Sequence, residues 1–570
     1  MFNHKKQMMK RISFLVISAV FCMGTVQAFE FPEPDWGAIY NERKKMVSET
    51  QFELYTEADP SLAAYYGARL EPEAGVYIGM TADMAEQYQP LGSYLAYIES
   101  VGQNDFYYPA KTLVEQDDVV TMVGWNIGNL TDSEILRLRD TLDQLASYNK
   151  PMLIRFANEM NVSSLGDEPE RYVQTFRKVA DMIHEYPNFA VVWSPNDMGA
   201  LDRPFEYYYP GDEYVDWVGV SCYMLKYFGF DKNAQARDHI FFMTDEYAWA
   251  TNKVQPIIKF MEENGIQKPL MLSEGGVACY DSDGDDYTGW SEPRLRNMLW
   301  YLIMKYPQIK MINYFNAPFQ NVGEHYYFSD NSQLDTVFRE AQNSGAYLRS
   351  AYDSPSFVFK PAYGSGTIHA EDGKLRLYTY AYIENQPNLT VNYRIDDVWM
   401  GASDRIPYRF EVSLPDIADG EHKLTISTLG ISKDYYFNKT GNFVKFGGEP
   451  NTWEEDIRVI VNGDEVAFPD QKPAIVNDRT LVPLRAIFEA LKAEVAWNDE
   501  TKTVTSKKGD ISISLAINSD QLYQNGTPKT LDVPAQIMNG RTMVPVRAIS
   551  EAFQCQVGWD QNTRTVTVEE

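Results

Sequence analysis

The chain has 570 residues, 44% of them hydrophobic and 23% charged, a composition that excludes disorder or a collagen-like fold for most of its length. The length predicts several domains. The formal net charge of -29 repels phosphate backbones and anionic lipid, so nucleic acids and membrane surfaces are poor partners. Aromatic residues make up 14% of the chain, and amphipathic rings at that density suit neutral polar ligands such as sugars.

Residues 1–28 have the pattern of a secretory signal peptide. Basic residues at positions 5–11 precede an apolar run over 12–24, and the small-residue segment Val-Gln-Ala at 26–28 is typical of a cleavage site. The run is too short to act as a stable membrane anchor, and no later stretch is long and apolar enough to span a bilayer. We therefore expect a secreted or cell-surface protein without a membrane span.

Cysteine and histidine patterns predict no cofactor. Cys222, Cys279 and Cys555 follow the signal segment, too few for a disulfide framework in an exported chain of this length. Cys222 and Cys279 could pair if their segments are neighbours, but we expect reduced, buried thiols. The histidines are scattered and form no zinc-ligand pattern, and the sequence contains no Walker loop, Rossmann fingerprint or Gly-x-Ser-x-Gly elbow.

Between residues 29 and 350, short apolar runs alternate with helical patterns. Their near-continuous apolar content is typical of strands buried on both faces. The runs are 75–79, 106–108, 119–124, 151–156, 189–194, 215–221, 269–273 and 310–315. Eight strand–helix units over roughly 300 residues predict a (β/α)8 TIM barrel. An open, doubly wound α/β sheet is the alternative, but eight consecutive units favour closure.

Residues 353–447 lose the helical period. Alternating runs at 375–382, 389–395, 408–414 and 422–428 are separated by turn residues, a pattern that predicts a β-sandwich. The region resembles the bacterial immunoglobulin-like modules of secreted enzymes.

Residues 456–570 contain an internal repeat. Residues 479–487, Arg-Thr-Leu-Val-Pro-Leu-Arg-Ala-Ile, recur 62 residues later as Arg-Thr-Met-Val-Pro-Val-Arg-Ala-Ile at 541–549. Such duplications usually form paired subdomains that share one core, here a duplicated α+β unit. The region resembles the copper amine oxidase N-terminal-like stalk domain, which implies surface attachment or spacing, with a cell-wall component as the candidate partner. An inert scaffold is the alternative, and no His or Met cluster offers a copper site.

Two acidic residues stand at the ends of predicted barrel strands. Glu159 follows the fourth strand and Glu274 follows the seventh, at the carboxyl-terminal mouth where TIM barrels place their chemistry. Opposed carboxylates are what glycosidic cleavage requires, since one donates a proton and the other attacks the anomeric carbon or activates water. One such glutamate alone would be read as a solvated cap or half of a salt bridge, but two on these strands favour catalysis.

The motifs around these residues resemble a known enzyme family. Asn158-Glu159 and Glu274 resemble clan A of the glycoside hydrolases, which are retaining enzymes. Arg155-x-x-x-Glu159-Met160-Asn161 and the segment 209–219 resemble family 26, whose members are mainly β-mannanases with some β-glucanases and xylanases. The resemblance implies a β-linked polysaccharide substrate of mannan or glucan type, with Glu159 as acid/base and Glu274 as nucleophile. It also implies that Tyr223 is the partner of the nucleophile.

Further residues near the predicted strand ends, Asn158, Arg155 and Asn196, are candidates for substrate binding. Asn196 could hydrogen-bond a sugar hydroxyl, with a loop cap as its alternative. Arg155 could orient a carboxylate at the site, with a structural ion pair as its alternative. The candidate sugar platforms are Trp125, Trp193, Trp290 and Tyr314, each about as well explained as part of the core. Val162-Ser163-Ser164 replaces the aromatic run of family 26, so a degenerate barrel that binds glycan without cutting it is the competing hypothesis.

The acidic loop 281–292 is a candidate calcium site. Its acidic and polar residues fall at EF-hand ligand positions, but the glycine required at position 6 is Asp286. We therefore predict a solvated loop and no metal, with structural calcium as the alternative.

Overall fold

The structure is a computed structural model of the full chain. It describes residues 51–98, 110–116, 119–125, 132–197, 203–226, 249–281, 284–318, 324–364, 366–383, 386–447, 457–468, 471–476, 479–499, 501–538, 541–560 and 565–570, with a few isolated residues between 29 and 41 and residue 106. The predicted signal peptide lies outside these ranges. The chain divides into two compact units, Met1–Gly447 and Gly448–Glu570.

The first unit contains a closed barrel of eight parallel strands. They are β1 (Val76–Thr81), β2 (Ser93–Ile98), β3 (Val120–Trp125), β4 (Met152–Phe156), β5 (Phe189–Trp193), β6 (Trp217–Met224), β7 (Leu270–Val277) and β8 (Ile309–Tyr314). Each strand pairs with the next, and β8 pairs with β1 to close the sheet. Nearly every strand residue is buried, as expected for a sheet covered on both faces. The predicted TIM barrel is confirmed.

Helices lie between the strands along the chain. The longest single one within the described ranges, Pro169–His184, begins with proline, whose missing N–H costs nothing in the first turn. It buries Tyr172, Phe176, Val179 and Ile183, which recur at the spacing of one helical face. The other main helices are Ala110–Gln116, Asp132–Ala146, Gln255–Glu263, Thr288–Arg296 with its continuation to Lys305, and Ser332–Gln342.

The second barrel strand was predicted wrongly. The sequence prediction placed it at 106–108, of which 107–108 lie outside the described residues, whereas the second barrel strand is β2, Ser93–Ile98. Residues 94–98, Tyr-Leu-Ala-Tyr-Ile, form an apolar run of the kind that predicts a buried strand, so this strand was readable from the sequence. Ser93, at its start, donates a hydrogen bond to Asn313 on β8.

A β-sandwich follows the barrel in the same unit. Its six-stranded antiparallel sheet contains the strands Thr367–His369, Phe443–Gly447, Ile431–Thr440, Gly420–Thr428, Val391–Ile395 and Val398–Ser403. The four-stranded sheet contains Val358–Pro361, Gln51–Ala58, Lys374–Tyr382 and Arg409–Ser413. The strand Gln51–Ala58 comes from the amino-terminal side of the barrel, which the sequence prediction had not associated with the sandwich.

Barrel and sandwich share one continuous hydrophobic core. The Tyr301 hydroxyl donates to the carbonyl of Thr379 at 3.1 Å and accepts from the amide of Ala381 at 3.2 Å, so one buried phenol bridges a barrel helix and a sandwich strand. Lys305 forms an ion pair with Glu53 at 2.5 Å. The sandwich therefore supports the barrel directly.

The C-terminal unit has a local two-fold arrangement. The repeated strands Arg479–Pro483 and Arg541–Pro545 pair antiparallel, with Val482 opposite Val544, its own counterpart in the repeat. Each strand leads into a short helix, Leu484–Ala490 or Val546–Ala552, and the rings of Phe488 and Phe553 meet at 5.3 Å between centroids. The two copies share one core, as the repeat predicted.

Cys222, Cys279 and Cys555 are buried free thiols, which confirms the expectation of reduced cysteines. No helix in the described ranges is long and apolar enough to cross a membrane.

Candidate active site at the barrel mouth

Glu274 lies inside β7, at a β-bulge. Against both neighbouring strands, β7 has one extra residue around Ser273–Glu274. Bulges re-aim side chains and are common beside active sites. Two glycines follow. A Cβ on Gly275 would lie 2.6 Å from the carbonyl oxygen of Cys222, and one on Gly276 would lie 2.8 Å from the Cβ of Tyr326. The backbone can therefore pack here only without side chains, which explains the Glu-Gly-Gly sequence.

Three side chains donate hydrogen bonds to the Glu274 carboxylate. The Tyr97 hydroxyl donates to Oε2 at 2.7 Å, and Arg155 Nη1 donates to the same oxygen at 2.5 Å. The Tyr223 hydroxyl donates to Oε1. Hydrogen bonds to a charged acceptor are the strong kind. The carboxylate is thus held in one orientation, with most of its charge compensated by the protein.

Arg155 is the centre of this network and is fully buried on β4. Its Nε donates to Ser194 Oγ at 2.9 Å, and its Nη2 donates to Ser221 Oγ. The guanidinium is therefore held by two serines from β5's end and β6 while it binds Glu274 at 2.5 Å. No part of the side chain is exposed, and its contact with Glu274 agrees with the expectation that Arg155 orients a carboxylate.

Glu159 stands three residues after β4 in a strained turn. Ala157 and Glu159 both have positive φ angles, 46° and 55°. Non-glycine residues adopt this region at an energetic cost, and such residues cluster at functional sites. The Glu159 amide donates to the carbonyl of Ser194 at 2.8 Å, and Asn196 Nδ2 donates to its Oε1 at 3.0 Å. The turn therefore aims the carboxyl into the mouth.

Asn161 and Asn196 hold that turn against the end of β5. Asn161 Nδ2 donates to the carbonyl of Asn196, and the amide of Asn196 donates to Asn161 Oδ1, both at 2.8 Å. This reciprocal pair fixes Asn196, whose side chain in turn binds Glu159.

Both carboxyls lie beside one guanidinium. Glu159 Oε1 is 4.0 Å from Arg155 Nη2, and Glu274 Oε2 is 2.5 Å from Arg155 Nη1. Burial raises the pKa of Glu159, the negative charge of Glu274 raises it further, and the positive charge of Arg155 opposes both. Burial also raises the pKa of Tyr97 and of Tyr223 well above the usual range, so both phenols stay protonated donors.

The structure brings together five residues that the sequence nominated: Arg155, Glu159, Asn196, Tyr223 and Glu274. Asn158 is half-buried beside Glu159, and among the described residues its Oδ1 has no hydrogen-bond donor. The sequence analysis missed Tyr97, since it lies on the unrecognised strand β2. The apolar run Tyr-Leu-Ala-Tyr-Ile at 94–98 was the available signal.

Three of the candidate sugar platforms are core residues instead. Trp125, Trp193 and Tyr314 are each at most 1% exposed, so their ring faces cannot stack on a sugar. Trp193 packs against Phe260 of an outer helix, and the Tyr314 hydroxyl donates to the backbone carbonyl of Tyr326. Trp290 is half-buried on the helix Thr288–Arg296 with the Arg294 guanidinium 4.1 Å from its ring centroid.

Within the described ranges, no group of three or more His, Cys, Asp or Glu side chains is placed to hold a metal ion. Residues 282–283 of the candidate calcium loop lie outside those ranges.

Two family models match the chain. Residues 99–285 match the model described as Glycosyl hydrolase family 26, and residues 460–568 match the Copper amine oxidase N-terminal domain.

Among curated proteins, the chain is similar to "Beta-1,3-xylanase TXYA" of Vibrio sp, 23% identical over 227 residues, which are 37% of this chain and 44% of that protein. It is also similar to a "Protease inhibitor" of Brevibacillus choshinensis, 32% identical over 133 residues, 23% of this chain and 38% of that protein. The chain thus covers less than half the length of each of these relatives.

Among solved structures, a modular endo-beta-1,4-mannanase from Cellulomonas fimi matches 64% of this chain and 93% of its own, with 14% identity and a TM-score of 0.33. The family models, the barrel and the duplicated C-terminal unit agree with the resemblances found in the sequence. The chain therefore contains a glycoside hydrolase domain of family 26 in its barrel and a copper amine oxidase N-terminal domain in its C-terminal unit.

Proposed function

We propose that the barrel hydrolyses a β-linked polysaccharide with retention of configuration, with Glu159 as acid/base and Glu274 as nucleophile. One observation carries the proposal: two carboxyls flank the same buried guanidinium but have different surroundings. Glu274 accepts three charge-compensating hydrogen bonds, while Glu159 is in an environment that favours its protonated form. Carboxyls that differ in this way are what acid and nucleophile roles require.

In the first step, Glu274 attacks the anomeric carbon while Glu159 protonates the departing glycosidic oxygen, which leaves a covalent glycosyl ester on Glu274. In the second step, Glu159 removes a proton from water, the water oxygen attacks the anomeric carbon, and the Glu274 carboxylate departs. The proton that Glu159 gave up is thereby regained.

The electrostatic coupling supports this exchange of roles. The charge of Glu274 is one cause of the raised pKa of Glu159. Formation of the ester removes that charge, so the pKa of Glu159 falls when a base is needed. Arg155 remains beside Glu159 and favours its anion at this stage.

The resemblance to family 26 implies a substrate of mannan or glucan type, whereas two similar proteins are named β-1,3-xylanases. Asn158, Asn196 and Trp290 remain candidates for binding sugar hydroxyls or ring faces. The N-terminal signal pattern supports secretion, which is part of the proposal.

Reducing-end release from a polysaccharide panel tests the activity. The panel contains β-mannan, glucomannan, mixed-linkage glucan, β-1,4-xylan and β-1,3-xylan, with NMR of the first product to assign its anomeric configuration. We expect release from at least one polymer, first as the β-anomer. First release as the α-anomer would contradict retention, and no release alongside retained binding would support the non-catalytic alternative.

The alkaline side of the pH profile should report Glu159. Because Glu159 must be protonated in the first step, kcat/KM falls as pH rises through its pKa. Asn196 donates to the Glu159 anion and so lowers this pKa. Asn196→Ala should therefore move the alkaline limb to higher pH, whereas Asn188→Ala on the exposed surface should not. An unchanged or lowered limb in Asn196→Ala would contradict the assignment of Glu159.

A further inference from the structure

The C-terminal unit contains a groove with a volume of about 520 Å³. It is bounded by the helix Leu484–Ala490, the strand Glu494–Asn498 and the start of the strand Arg541–Pro545. The volume is within the range of small-ligand sites. Nothing in the family assignment of this domain accounts for such a groove.

The groove combines an aromatic wall with polar groups of both kinds. Trp497 is 38% exposed, and Phe468 also lines the groove. Arg485 and Glu489, four residues apart on one helix face, are exposed at its edge, and Gln471 lies nearby. The site therefore offers a flat ring together with donors and acceptors within one concave surface.

The duplication reproduces these exposed residues. Arg485, Glu489 and Trp497 recur in the second copy, 62 residues later, as Arg547, Glu551 and Trp559, again exposed or half-exposed. Exposed charges are not kept everywhere: Lys492, Glu494 and Lys507 correspond to Gln554, Gln556 and Glu569, whereas the exposed Arg479 recurs as the exposed Arg541.

Core packing does not require that Arg485, Glu489 and Trp497 be kept in both copies. The shared core is built by apolar residues such as Ile487 and Ile549, which are fully buried. Arg485, Glu489 and Trp497 lie outside it, whereas Trp559 packs against it, and the exposed indole of Trp497 leaves apolar surface in water. Retention of all three at one groove is better explained by contact with a ligand.

We propose that the groove binds a neutral polysaccharide chain, with the Trp497 ring stacked on a sugar face. Sugar hydroxyls both donate and accept, so they can use Arg485 as donor, Glu489 as acceptor and Gln471 as either. Arg541 also lines the groove, so its charged side chains carry both signs, and the net charge of -29 on the whole chain disfavours an acidic polymer.

The test uses the full-length chain with Glu274→Gln, so that bound polymer is not cut. Retention is measured on insoluble β-mannan, β-1,3-xylan and cellulose, with polygalacturonate as the acidic probe. We expect binding to at least one neutral polymer and a loss of about tenfold or more in affinity on adding Trp497→Ala. Arg485→Ala should also weaken binding. Because Arg485 is exposed, its replacement should not unfold the domain, so misfolding would not explain the loss of binding. Trp399→Ala, which removes a 58% exposed indole from the sandwich, is the matched control.

Equal binding by the Trp497→Ala chain on every polymer would overturn the proposal, as would binding to polygalacturonate alone. The result is separable from the barrel's activity because the barrel is identical in all these proteins. Hydrolysis that fails while Trp497-dependent binding persists would overturn the proposed reaction and support this inference; hydrolysis without Trp497-dependent binding would do the reverse.

Discussion

Replacing Glu274 by glutamine should lower kcat on polysaccharide by about 10⁴-fold or more, because an amide cannot attack the anomeric carbon. The substitution keeps the shape of the side chain, but it places an NH2 group among the donors Tyr97, Arg155 and Tyr223. An unmatched buried donor of this kind costs about 1–3 kcal/mol of stability. The measurement is steady-state sugar release at saturating polymer, with the free energy of unfolding determined in parallel.

The matched control is Glu213→Gln, the same change at an exposed glutamate before β6, which should retain wild-type kcat. A mechanism-based 2-fluoro glycoside should add one glycosyl mass to the wild-type peptide containing Glu274 and none to the variant. Activity within about tenfold of wild type in Glu274→Gln, or labelling of another residue, would exclude Glu274 as the nucleophile.

Glu159→Ala should have an effect that depends on the leaving group. On polysaccharide, whose leaving oxygen needs a proton, kcat/KM should fall by about 10²–10⁴-fold. On a dinitrophenyl glycoside, whose leaving group departs without a proton, formation of the glycosyl ester should be nearly normal. Hydrolysis of that ester should then become rate-limiting, since the base that activates water is missing.

Added azide should relieve that block. It needs no deprotonation, fits the space left by the truncated side chain, and should give a β-glycosyl azide from the Glu159→Ala enzyme. Asn188→Ala again serves as the surface control. Equal losses of kcat/KM on both substrates, with no azide product, would mean that Glu159 acts only by supporting the structure of the site.

The catalytic pair was predictable because its residues lie next to readable strands. Glu159 and Glu274 each follow an apolar run, and parallel strands of a barrel end at one mouth. The role of Tyr223 was implied by the family resemblance, and only the structure shows that Arg155 is buried and contacts Glu274. Tyr97 was missed because the second strand was predicted at 106–108, although the apolar run that contains Tyr97 is readable in the sequence.

The aromatic candidates show a different limit. A tryptophan at a strand end reads the same whether its ring points to the mouth or toward the outer helices. Trp125 packs on Phe156 and Trp193 on Phe260, and these contacts, which a sequence does not specify, put both rings in the core. The position of a residue along a strand can be read from the local sequence. The direction of its ring depends on the space that the packed outer helices leave, which the local sequence does not specify.

The sequence by itself determined the alternation of strands and helices, the placement of the two glutamates at strand ends, and the duplication of the C-terminal unit. Each of these is a local pattern with its own period or spacing. The tertiary structure alone decided that Gln51–Ala58 completes the sandwich, where Leu54 pairs with Thr379, and that Tyr97 reaches Glu274. The first contact joins residues 379 - 54 = 325 positions apart and the second joins residues 177 apart, so the stabilisation arises only when the chain has folded, and neither segment by itself specifies its partner.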